Sequence, residues 1–234
     1  GFLILAWTAR YLGPEQFGLL NFVMAFTSIF VVIAGAGLDS IVIRELVRSP
    51  EQRAELLGTA FLAKLAGGLI VLPPCIAGIA LLRPNSDEVR VLVAIAALAT
   101  PLLAFDVIDY LLQARLQMKF VVFARNVSAM CVFSLKAWLI VSGAPLVAFV
   151  IAGSLEILLS ATALALVYRR WIIPKWDWNF SLSRARNLLR DSWPLMFSAL
   201  TIVVYMKVDQ IMIGQMLGDS QVGTYAAAVR LIEI

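Results

Sequence analysis

The sequence has no histidine, only two cysteines, and charged side chains at 15% of its 234 residues. Each shortage excludes something. Without histidine, the usual general base and the commonest metal ligand are missing from any enzymatic reading of these residues. Cys75 and Cys131 lie inside apolar stretches with no metal-ligand spacing, so they read as small buried hydrophobes, not as a disulfide framework or a zinc site. The charge content falls well below the roughly 25% of an ordinary soluble domain, and hydrophobic residues reach 62% against roughly 45–50%. A soluble core cannot absorb that much apolar surface.

What is there comes in blocks of about twenty apolar residues, the length a helix needs to cross roughly 30 Å of hydrocarbon. The blocks predict an all-α, polytopic transmembrane bundle. In order they are the tail of a first span ending before Arg10, then Phe17 to Leu38, Leu57 to Leu82, Val89 to Leu112, Phe120 to Val141, Pro145 to Tyr168, Trp193 to Leu217, and the opening of an eighth after Gly223. The first and last stretches are expected to be cut spans, so the chain reads as a fragment, with no basic leader of the signal-peptide kind. Leu72-Pro-Pro-Cys75 predicts a kink in the third span.

Basic residues are distributed unequally between alternate connections. One set holds Arg44, Arg48 and Arg53, then Arg115 and Lys119, then Arg169, Arg170, Lys175, Arg184, Arg186 and Arg190, which is 3 + 2 + 6 = 11; the other holds Arg10, Arg83 and Arg90, which is 3. The positive-inside rule then puts the first set in the cytoplasm, with the N-terminus cytoplasmic and span 1 running outward. The longest connection, 169–191, carries Trp171, Trp176 and Trp178 among basic residues, and Ser181 stands before an amphipathic run to Arg190. Two readings stay open there, a helix lying in the headgroup layer or a plain basic linker.

Leu12-Gly-Pro-Glu-Gln-Phe-Gly18 and Leu217-Gly-Asp-Ser-Gln-Val-Gly223 share four of seven residues at a separation of 217 − 12 = 205. Six spans between them return the chain to the same side, which predicts parallel repeats about an axis along the membrane normal. The expected organisation is a first lobe (1–168), a basic cytoplasmic linker (169–191) and the start of a second lobe (192–234).

Ala9-Arg-Tyr-Leu-Gly-Pro-Glu-Gln-Phe-Gly-Leu-Leu-Asn-Phe22 and Gly37-Leu-Asp-Ser-Ile-Val-Ile-Arg-Glu45 resemble the opening of the polysaccharide biosynthesis, or O-antigen flippase, family. Ser192-Trp-Pro-Leu-Met-Phe-Ser198, Val208-Asp-Gln-Ile-Met-Ile-Gly214 and Val222-Gly-Thr-Tyr-Ala-Ala-Ala228 are similar to its seventh span and the turn beyond. That family belongs to the multidrug, oligosaccharidyl-lipid and polysaccharide exporter superfamily. The resemblance implies a bacterial inner-membrane transporter, not an enzyme and with no cofactor. It would flip undecaprenyl-diphosphate-linked oligosaccharide (an O-antigen, capsule or exopolysaccharide unit) through a polar cavity. Its partners would be that substrate, the bilayer, a coupling cation, and the glycosyltransferases and polymerase of the same pathway, with no nucleic acid. The alternatives are a multidrug antiporter of the same superfamily and a polytopic enzyme of polysaccharide synthesis.

A diphosphate crossing hydrocarbon needs a cationic path. Four bases lie inside expected spans: Lys64, Arg125, Lys136 and Lys207. Arg125 and Lys136 are eleven positions apart on one helix, so they differ by only about 20° in direction at about 100° per residue. With Ser128 they would share one face. Arg125, Lys136 and Lys64 are therefore the substrate candidates, with Lys64 and Arg125 also close enough to the cytoplasmic end to snorkel. Among the intramembrane acids, Glu156 is expected to pair with Lys136, and Asp106 and Asp109 with Arg115. The resemblance makes Asp209 a candidate for a coupling cation.

Overall fold

The computed structural model describes residues 2–172 and 178–232, and every regular element among them is helical. Ten α-helices follow in order: α1 Phe2–Gly35, α2 Leu38–Arg48, α3 Arg53–Ile70, α4 Leu72–Leu82, α5 Asp87–Leu98, α6 Asp106–Ala114, α7 Met118–Val141, α8 Leu146–Val167, α9 Leu182–Met216 and α10 Asp219–Ile232. Six stretches of the described residues are long and apolar enough to span a membrane: Ile4–Arg48, Pro50–Leu82, Asp87–Ala114, Met118–Val141, Leu146–Arg170 and Leu182–Met216. The all-α, multi-span architecture expected from the sequence is the one observed.

The first stretch contains two expected spans. Gly13, at φ 71° and ψ 173°, breaks α1 into two arms in a conformation that only glycine adopts readily, and Pro14 opens the second arm. Gly218, 205 residues later, also has positive φ (90°), and α10 starts directly after it. Both copies of the repeated motif therefore end one helix and begin the next in the same way.

Prolines bend two further spans. Pro73 and Pro74 lie in the first turn of α4 and separate it from α3 at Val71, the expected kink. The span expected at Val89 to Leu112 is also broken, because Thr100–Phe105 tightens into a 3-10 helix around Pro101. This second bend makes Asp106 the first residue of α6.

Two boundaries differ from expectation. Arg44 and Arg48 belong to α2, not to a loop; Leu38, Ile41, Val42 and Leu46 recur at helical spacing and bury one face of it. The segment 182–190 is helical, but it runs unbroken through Pro194 into the span, and Ala185 and Leu188 are buried. It is therefore the first turns of α9, and no separate headgroup-layer helix forms. Trp178 is not at an interface either: it packs on Phe61 and Tyr168 and donates to the Tyr168 hydroxyl at 2.8 Å. Trp176, Lys175 and the side chain of Trp171 fall outside the described residues.

The connections sort to two ends. At one, Asn179 donates to the Ala54 carbonyl (3.2 Å) and Arg184 reaches Glu55 (3.9 Å). At the other, the Tyr11 hydroxyl donates to the Ala144 carbonyl (3.0 Å) and Arg83 grips Asp219 (2.7 Å). An apolar core occupies each end. Phe22, Val23, Ile79, Leu92, Val132 and Phe149 centre the one near Arg83. Leu38, Leu57, Val107, Leu112, Val121 and Leu164 centre the one near the basic connections.

Candidate functional site

Polar side chains collect between these two cores. An open cavity of about 710 Å³ is lined by both arms of α1, the bend before α6, α7 and α8. Helix α7 brings Arg125, Ser128 and Lys136 to it, as the shared helical face requires. Asn21 and Ser28 on α1, seven residues apart, face it too, and α8 contributes Ser154, Glu156 and Ser160. Four charged residues line it, two bases (Arg125, Lys136) and two acids (Asp106, Glu156). The cavity is polar and formally neutral, not a bare cationic stripe.

These charges are not equivalent. Arg125 donates to Asp109 at 2.6 Å and lies 3.6 Å from Asp106. Asp109, with its side chain only 5% exposed, also accepts from Gln113 at 3.0 Å. Asp106 and Asp109, three apart in the first turn of α6, present their carboxylates together where a helix N-terminus favours negative charge. Lys136 and Glu156 line the same cavity but form no ion pair within 4.0 Å, contrary to expectation.

Lys64 is in a different place. Its side chain is 6% exposed, lines a second cavity of about 400 Å³ bounded by α1, α2, α6 and α9, and donates to the Tyr110 hydroxyl at 2.6 Å. It also lies 3.7 Å from Asp106. The long side chain does not snorkel, because a phenol and a carboxylate meet it inside the bundle. Asp106 borders both cavities, so one carboxylate joins the buried lysine to the arginine of the larger cavity. Asp106 and Asp109 therefore pair with Lys64 and Arg125, not with Arg115 as expected.

Asp209 is removed from this network. On α9 it accepts from the Gln210 backbone N–H at 2.8 Å and from the Tyr225 hydroxyl of α10. No group of three or more acidic, histidine or cysteine side chains that could hold a metal ion occurs among the described residues.

The sequence reading missed Tyr110 and the pairing of Asp109 with Arg125. Spacing along one helix cannot reveal which residue of another helix it meets. It also missed Arg83, although an isolated arginine at the otherwise base-poor end was a usable signal.

The family model for polysaccharide biosynthesis proteins matches residues 1–234. No curated protein and no solved structure matches the chain. A bundle of six long apolar helices, a polar cavity between two apolar cores and a family match over the whole length agree: the chain is a multi-pass membrane protein belonging to the polysaccharide biosynthesis protein family.

Proposed function

We propose that this chain is the first lobe, with the start of a second, of a transporter that flips undecaprenyl-diphosphate-linked oligosaccharide from the cytoplasmic to the periplasmic leaflet of a bacterial inner membrane. The observation that carries this reading is Lys136. It faces a polar cavity with no carboxylate within 4.0 Å, and Arg125 faces the same cavity from the same helix. An unpaired ammonium inside a membrane protein is costly unless it meets water or an anion. A diphosphate headgroup supplies the anion. Arg125 offers a planar fork for phosphate oxygens and Lys136 a point charge. Lys64, tied to Asp106 and Tyr110, acts on the substrate through Asp106 rather than by contact.

The 11-to-3 division of bases supports the cytoplasmic placement of the 115–119 and 169–191 connections. The second lobe is supported by a reciprocal contact at the repeated motif. A Cβ on Gly18 would overlap the Asp219 carbonyl, and one on Gly223 would overlap the Pro14 carbonyl. Adding 205 to 18 and 14 gives 223 and 219, so each contact is the other with its partners exchanged, as a two-fold axis requires.

The test is complementation of a strain lacking its own flippase. Lys136→Gln abolishes surface polysaccharide at normal membrane abundance, and Lys136→Arg restores part of it. Full activity in Lys136→Ala at normal abundance overturns the reading. Glu156, a cavity carboxylate with no ion pair within 4.0 Å, favours, as a second reading, a multidrug antiporter of the same superfamily. That reading predicts that Glu156→Gln abolishes export of organic cations.

A further inference from the structure

Helix α9 touches the preceding bundle at both of its ends, and the two contacts are unequal. Near the basic connections, Gly37 packs on the backbone of Ser192 and Met196, and the two ion pairs there, Arg44 with Asp191 and Arg184 with Glu55, each span 3.9 Å between side chains at least a fifth exposed. Exposed pairs of this kind hold little. At the far end Arg83, with its side chain 11% exposed, makes both guanidinium contacts to Asp219, at 2.9 and 2.7 Å. It also donates to the Gly214 carbonyl at 3.0 Å and lies 4.0 Å from the Phe22 ring centroid. One side chain thus fastens the end of α4 to the last turn of α9, the first turn of α10 and the second arm of α1. Bidentate, partly desolvated pairs are the strong ones.

The sequence builds this contact with specific residues. Gly214 leaves room for it, since a Cβ there would lie 2.7 Å from the Phe22 ring and 3.1 Å from the Arg83 guanidinium. Asp219 is the one acid in the first turn of α10. Its counterpart in the first copy of the repeat is Pro14, which has no side chain to grip. The pair therefore occurs once in an otherwise reciprocal crossing. The smaller cavity adjoins the first of these contacts, with Gly37, Leu195 and Ser198 on its walls.

We propose that Arg83 and Asp219 form a latch that shuts the crevice between α9 and the preceding helices at the end remote from the basic connections. The latch is closed in this structure, and that end opens only when it releases. The inference rests on the transporter reading above. Its test reads accessibility rather than transport, so Arg83-dependent accessibility in a protein that does not transport would defeat that reading and leave the latch standing.

The experiment uses the full-length protein in right-side-out and everted membrane vesicles, with Cys75→Ala and Cys131→Ser removing the native thiols. Asn85→Cys, exposed in the connection beside Arg83, reports which face of the membrane carries the latch, whatever the orientation. Ser198→Cys then reports entry of a membrane-impermeant maleimide into the crevice. Arg83→Ala and Asp219→Asn speed its labelling from the latch face by about tenfold or more, a shift of about 1.4 kcal/mol in the open population, and Arg83→Lys gives an intermediate rate. The rate from the opposite face does not rise. If Arg83→Ala fails to accumulate, Asp219→Asn, which keeps the shape and removes the charge, is read in its place. Labelling at the parent rate in Asp219→Asn at normal abundance overturns the proposal. So does an equal rise from both faces, which would mean general loosening.

Discussion

Gly18 and Gly223 mark the closest approach between the repeated motifs, and adding one methyl group at either tests that crossing. A Cβ at Gly18 would overlap the backbone carbonyl of Asp219 and lie 2.7 Å from the Gly223 nitrogen. Both obstacles are main chain, so no rotamer change can relieve them; the helices must separate by more than 1 Å, roughly, for an ordinary van der Waals contact. Overpacking of a well-filled site costs about 1–3 kcal/mol, and small residues are what let membrane helices approach this closely. Gly18→Ala is expected at the upper end of that range. At about 2–4 °C per kcal/mol for a domain of this size, the loss is about 6–12 °C in the melting temperature of the detergent-solubilised full-length protein. Gly35→Ala is the control, because a Cβ there meets nothing within 4 Å. The crossing is shared, so Gly18→Ala and Gly223→Ala together cost less than their sum. Equal melting temperatures for Gly18→Ala and Gly35→Ala, or strict additivity of the two substitutions at the crossing, would mean that the two glycines do not share one tight helix crossing.

Three further outcomes are expected. Arg125→Ala leaves the buried Asp109 carboxylate with Gln113 alone and, because Arg125 is itself half-exposed, costs about 1–3 kcal/mol, seen as reduced membrane abundance; adding Asp109→Asn restores abundance but not polysaccharide export. Lys64→Met similarly leaves Asp106 short of a cation, and Asp106→Asn in the same protein recovers melting temperature. Alkaline phosphatase fused after Arg184 is inactive and fused after Asn85 is active; the reverse pattern would overturn the orientation drawn from the basic residues.

The sequence made the spans legible because the bilayer imposes one strong constraint, about twenty apolar residues per crossing. The kink at Pro73 and Pro74 and the turn at Gly13 and Pro14 followed from local backbone chemistry, and both occur. The bend at Thr100-Pro101 was legible by the same rule and was passed over. The shared face of Arg125, Ser128 and Lys136 needed only the helical repeat, and one cavity receives all three. Helix-to-helix partners were not legible. Whether Lys136 meets Glu156, or Lys64 meets Tyr110, depends on the rotation of each helix about its axis, which hydropathy along one chain does not encode. The same limit applies to 182–190, where an amphipathic run suits a headgroup-lying helix and also the buried first turns of a span. Burial of Ala185 and Leu188 decides it.

In the proposed transporter, a cavity presenting Arg125 and an unpaired Lys136 carries an anionic lipid headgroup across the bilayer. The most direct measurement is translocation of a fluorescent polyprenyl-diphosphate oligosaccharide in proteoliposomes holding the full-length protein, read by quenching from outside. Movement is expected to be faster than in protein-free vesicles, lost in Lys136→Gln and partly retained in Lys136→Arg. Equal rates with and without the protein, or an unchanged rate in Lys136→Gln, would contradict the proposal.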